Sequence, residues 1–219
     1  VFHYPRKAEV AHVLPKNKLY ARARAGRALQ RKFVEQVAKI VWRYKLAPES
    51  INLPPGDSVK EIQVFDLHLK APDLHEDVLR AIDRTIRHPI AFRLYHGDRL
   101  RCAIAQKRPH ASDPQKWVVG DYFGTEWTAS DAQAPAPLPT ALDLRSLYEQ
   151  VLAAHLPLPA REGESLAERI DRLARIRQAQ READRIETRI HKEKQFNRKV
   201  ELNRELQALK KEIEAFSTP

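Results

Sequence analysis

The stretch KEIQVFDLHLK sets an acid, an imidazole and an amine at alternate positions, Asp66, His68 and Lys70. Alternation with period two is the pattern of a strand, so these three share one face while Phe65, Leu67 and Leu69 share the other. An acid and a lysine on one strand face can hold a divalent metal against a phosphate, which is metal-dependent nuclease chemistry. Here they stand four apart rather than two, with a histidine between them, and Asp121 is the candidate for a further acid. A solvent-facing strand edge is the simpler reading. Asp66, Lys70 and Asp121 therefore stand only as the alternative, catalytic one.

The other reactive types are weaker still. His68, His75 and Glu76 straddle a strand and a loop that contains Pro72, unlike the one-face spacing of a helical metal site. Cys102 lies in an apolar run and reads as a buried thiol, and one cysteine allows no internal disulfide. The six glycines are isolated, so none forms a phosphate-cradling loop. No catalytic residue, metal ligand or cofactor is assigned from these residues.

Residues that could bind are more numerous. Arg27, Arg31, Lys39 and Arg43 recur at multiples of four, one stripe of a helix if the helix extends that far. Arg177, Arg181, Arg185 and Arg189 repeat the spacing, but Glu182, Asp184 and Glu187 are interleaved with them. Residues 191–199, HKEKQFNRK, hold Lys192, Lys194, Arg198 and Lys199 around Phe196, with one acid. They lie where the apolar rhythm fails, and the reading is a basic partner surface. Trp117, Tyr122, Phe123 and Trp127 suit base stacking or a core, and core packing accounts for all but Trp127.

Three segments must position these groups. Residues 1–130 read as an α+β domain with a small, mainly antiparallel sheet and flanking helices. Leu29, Phe33, Val37, Ile40, Val41 and Tyr44 have helical spacing, which predicts one basic helix ending before Pro48. DLHEDVLRAIDRTI predicts a second helix capped by its aspartate, and HGD joins two strands of a hairpin. KWVVGDYFGTEW is a further strand. Residues 131–163 read as a Pro-punctuated linker with one helix bearing Leu144, Leu147, Val151 and Leu152.

Residues 164–219 read as a long C-terminal helix. Ser165 and Glu168 form a capping-box signature, and neither Gly nor Pro follows within the helix. The apolar frame shifts twice, so the segment is an irregular coiled coil or a hairpin. The glycine-free join favours a continuous helix of roughly 75–80 Å.

Charge is unevenly spread over the 219 residues. The formal net charge is +10, and residues 1–50 contribute twelve Lys/Arg against three Asp/Glu. Residues 51–163 are nearly balanced, thirteen against fifteen, and residues 164–219 carry fourteen against eleven. Such polarity points to a polyanionic partner, with nucleic acid, DNA in the first instance, the common one. No apolar run approaches the roughly 20 residues that span a bilayer. The expectation is a cytoplasmic protein without membrane contact.

The segments VFHYPRKAEVAHVLPKNKLY, IVWRYKLAPESINLP, EIQVFDLHLK, LHEDVLRAIDRTIRHPIAF, KWVVGDYFGTEW, LDLRSLYEQVL and KEKQFNRKVELNRELQALKKEIE occur in this order. In them the chain resembles a bacterial family known as Domain of Unknown Function 4391. The resemblance implies genes beside helicases and DNA methyltransferases in restriction-like antiphage operons, and it carries over no catalytic residue. The expected function is a non-catalytic, nucleic-acid-binding accessory subunit of such a defence system. It would assemble through its C-terminal helix with a second copy, as a homodimer, or with a helicase or methyltransferase subunit. The alternatives are a metal-dependent nuclease of the same system and an assembly protein without nucleic-acid contact.

Overall fold

The computed structural model describes residues 1–110, 112–132 and 134–218. The described residues form two compact units, one ending at His155 and one beginning at Leu156.

In the first unit a 3₁₀ turn at Arg6–Ala8 leads into β1 (Glu9–Val13), α1 (Lys16–Arg22), α2 (Arg27–Gln36) and β2 (Val37–Leu46). Then come α3 (Pro48–Ile51), β3 (Ile62–Leu69), α4 (Glu76–Thr85), β4 (Ile90–His96), β5 (Arg99–His110), β6 (Asp113–Gly124), β7 (Thr128–Ala129) and α5 (Leu144–Ala153). The strands make one sheet in the order β1-β2-β3-β4-β5-β6, with β7 paired to β5. Among the strands of the described residues only β3 and β4 run parallel, because α4 carries the chain back between them; every other strand pair there is antiparallel. The α+β expectation holds.

One helix is corrected. The spacing from Leu29 to Tyr44 predicts a single helix, but α2 ends at Gln36 and the chain continues directly as β2. Register shifts at Val37/Lys39 and Trp42/Tyr44 explain the misreading. Val37 and Ile40 pair with Leu69 and Leu67, so three residues of β2 oppose two of β3. A bulge thus turns period two into a helix-like spacing of three. A smaller correction concerns α4. Its cap is His75, whose Nδ1 accepts the Asp77 N–H at 3.3 Å, and not Asp73.

The main core joins α1, α2 and α4 to one sheet face through Leu19, Phe33, Val78 and Ile82 against Phe65, Leu67, Phe92 and Leu94. At the far end of α4, Lys107 of β5 enters the core. Its Nζ donates to the carbonyls of Asp83 (2.7 Å), His88 (2.9 Å) and Ile86, acceptors that a helix end leaves open. The Tyr122 hydroxyl donates to the Asp83 carboxylate. Burial pushes that carboxyl up to about 6, against the opposing pull of Lys107. The segment expected as a linker contains α5, which docks on β5. The Tyr148 hydroxyl accepts from the Lys107 N–H (2.7 Å) and donates to the Ala105 carbonyl (2.6 Å).

The second unit is a helical hairpin of α6 (Leu166–Lys192) and α7 (Phe196–Ser217), packed through Ala183, Ile186, Leu202 and Leu206. The continuous helix favoured by the sequence is therefore broken, at residues 193–195. Glu193 adopts an extended backbone, and its own carboxylate accepts the N–H groups of Lys194 (2.8 Å) and Gln195 (2.9 Å). A side chain here supplies the acceptors that would otherwise come from the preceding turn of helix, so no Gly or Pro is needed. Arg172 closes the base of the hairpin, paired with Glu164 at 2.6 and 2.7 Å and donating to the Phe216 carbonyl at 2.7 Å. Among the described residues no helix is long and apolar enough to cross a membrane.

Candidate nucleic-acid interface

The α1–α2 pair is built to turn its apolar side down and its basic side out. Leu19 and Phe33 are buried, and the rings of Tyr20 and Phe33 meet edge to face at 5.8 Å. The turn between the helices places Arg24 at φ 49° and returns the Ala25 N–H to the Tyr20 carbonyl at 2.8 Å. Gln30 then locks the start of α2 by donating to the Ala25 carbonyl at 2.7 Å. Residues 16–39 hold eight Lys/Arg and a single acid, Glu35.

Some of these cations are engaged within the fold. Lys16 donates to the Val37 carbonyl at 2.7 Å, and its amine is pulled below the ordinary lysine range, first by burial and then by Lys70. Lys32 pairs with Asp77 at 2.7 Å, and Arg31 lies 3.8 Å from Glu35 with both side chains open to water. Lys18, Arg22, Arg24 and Arg27 are exposed, and among the described residues their side chains have no hydrogen bond or ion pair. A concentration of unpaired cations on one short motif repels itself and attracts phosphate.

The four cations read as one helical stripe do not form it. Arg27 and Arg31 lie on α2, whereas Lys39 and Arg43 lie on β2. Lys39 is exposed beside His68 in the sheet register. Arg43 is held 3.0 Å from Glu9 and 4.0 Å from Asp66. Sequence spacing missed Lys18, Arg22 and Arg24, although the run KNKLYARARAGR carried the compositional signal.

The alternative catalytic residues are not brought together. Asp66 is buried and bound in a fork by Arg93 at 2.6 and 2.7 Å. The Arg93 guanidinium also lies 5.3–5.8 Å from the rings of Tyr4, Tyr44 and Tyr95. Lys70 turns away to donate to the Val34 carbonyl at the end of α2, at 2.6 Å. Asp121 sits on β6, three strand spacings or about 14 Å across the sheet from β3. His68 stacks on Tyr95 at 5.2 Å, with its pKa lowered by partial burial against the opposing pull of Asp66. Among the described residues no group of three His, Cys, Asp or Glu side chains is placed to hold a metal ion.

The partner surface predicted at residues 191–199 lies at the tip of the hairpin. Lys192, Lys194 and Arg198 are exposed, Lys199 is half-buried, and Phe196 is 77% exposed. Arg198 reaches Glu201 at 3.2 Å. Of the aromatic group near β6, Phe123 is buried and Tyr122 packs against the main core. Cys102 is buried, and burial pushes its thiol up.

A family model described as a domain of unknown function (DUF4391) matches residues 2–213. No curated protein and no solved structure matches the chain.

Proposed function

The chain belongs to that family, whose description names no activity, and from this premise we propose a nucleic-acid-binding accessory subunit that grips phosphates through α1 and α2. One observation carries the reading: Lys18, Arg22, Arg24 and Arg27 project from a buried two-helix support with no ionic partner among the described residues. Such a set contacts the backbone and carries no base code, so binding is expected to tolerate changes of sequence.

Arg43 leaves the interface because Glu9 and Asp66 already compensate it. The hairpin, with its exposed Phe196 and basic tip, is the element we assign to assembly with a larger subunit. We propose a restriction-like setting, with a helicase or methyltransferase as that subunit and DNA as the polyanion. Asp66, tied to Arg93, favours no hydrolytic role.

The test is fluorescence anisotropy with labelled duplex DNA and RNA across a salt series. Four phosphate contacts would give a slope of log K against log salt of roughly −3.6 for duplex DNA. Charge reversal of Arg22, Arg24, Arg27 and Arg31 to Glu should remove binding while circular dichroism stays unchanged. Equal affinity in the reversed protein would remove α1 and α2 from this role.

A further inference from the structure

The geometry points to a phosphate-binding site made by Arg99 and Arg101 around Trp127, beside His96, at the β4–β5 hairpin. The backbone brings these groups together. His96 pairs directly with Arg99 across the hairpin, and Arg101 pairs with Leu94. Residues two apart on a strand share a face, and Leu94 belongs to the main core, so all of these project from the helix-covered side of the sheet. The turn is the two residues Gly97 and Asp98. Gly97 has φ +59°, a conformation that suits glycine at the first position of a tight hairpin.

Trp127 fixes the arginines. Its ring packs against the main core, and the guanidinium carbons of Arg99 and Arg101 lie 5.8 and 5.6 Å from its centre. Cation–π contact orients two cations without neutralising either. Neither guanidinium has a hydrogen bond or ion pair among the described residues, although Asp98 and Glu126 lie close in sequence.

The second observation is independent of charge. Arg101 Nε and His96 Nδ1 are buried atoms without a hydrogen-bond partner among the described residues. Buried polar atoms are almost always paired, and an orphan marks a place where something else completes the site. A water would satisfy one such atom but carries no charge complementary to the two guanidiniums held on one ring. A tetrahedral oxyanion supplies several acceptors and the compensating charge, and the arginine fork matches its geometry.

The choice of phosphate over a carboxylate rests on the nucleic-acid reading above. Two sources share this chemistry: the diester of a polynucleotide chain, and the monoester of a free nucleotide or chain end.

Titration of the full chain with inorganic phosphate, a nucleoside monophosphate and a dinucleotide holding only an internal diester separates them, with tryptophan emission as the signal. A saturable change weakened about tenfold or more in Arg101→Gln is expected. A response to the dinucleotide assigns the site to the chain, and a response to monoesters alone assigns it to ends or free nucleotides. Where Arg101→Gln does not fold, Arg99→Gln at an exposed position makes the same comparison. No saturable response to any probe, or affinity unchanged in both variants, overturns the site.

The variant with Arg22, Arg24, Arg27 and Arg31 changed to Glu keeps the two ideas apart. It should lose polynucleotide binding and keep the phosphate response. Loss of polynucleotide binding with a silent phosphate titration sinks this site alone. A phosphate response with polynucleotide binding unaffected by the reversal sinks the α1–α2 reading alone.

Discussion

Lys107 and Asp66 show how charged residues can be consumed by the fold. Lys107 is almost fully buried and holds three carbonyls at the end of α4, with the Asp83 carboxylate 3.5 Å away. Removing the amine leaves those carbonyls unpaired and the buried carboxylate without its cation, so Lys107→Met should cost about 3–5 kcal/mol in denaturant unfolding. Tyr122→Phe, which removes one hydroxyl from the same carboxylate, should cost clearly less. Equal losses would mean that packing, not the buried charge, dominates at this site. Asp66 presents the same lesson for function. Its strand and the positions of its neighbours were legible in KEIQVFDLHLK, but its partner Arg93 stands 27 residues away on a strand whose register no local pattern reveals.

At the scale of elements, what could be read was whatever kept a single period. β3, the β4–β5 hairpin and α5 alternate or cycle cleanly and were visible. β2 was not, because its bulges mimic the helical repeat, and with it went the supposed stripe from Arg27 to Arg43. The join at residues 191–199 was found at the right place, but its form depends on the Glu193 carboxylate, a rotamer choice that composition does not encode. The base of the hairpin makes a pH prediction. The Arg172 guanidinium holds the Glu164 carboxyl down to about 2, below its ordinary 4.5. A depressed acid contributes stability that is present above about 4.5 and lost as pH falls toward about 2. Hydrogen exchange of the hairpin amides should therefore show protection falling more steeply over that window in the native chain than in Glu164→Gln. Parallel pH profiles would dismiss the pair as a stabilising contact.

For the whole molecule, the division at His155 separates two different balances of charge and core. The first unit contains the whole main core, the Lys107 network and α5, together with the exposed basic α1–α2 motif. The core residues and hydrogen bonds named for it all come from residues 1–155. The second unit is held by a short apolar seam and by Arg172, and helices of this kind depend on packing more than on propensity. A chain ending at His155 should therefore unfold cooperatively, and it should bind duplex DNA with the salt slope of the full protein. The isolated hairpin should open at lower temperature than the first unit, because far less apolar surface is buried in it. If assembly runs through the hairpin tip, the shortened chain should also lose the larger partner that the full chain recovers, and Phe196→Ser in the full chain should weaken that recovery. Retention of the same partner by both altered proteins would place assembly on the first unit. A shallower salt slope in the shortened chain would show instead that the basic tip, Lys192, Lys194 and Arg198, contributes phosphate contacts of its own.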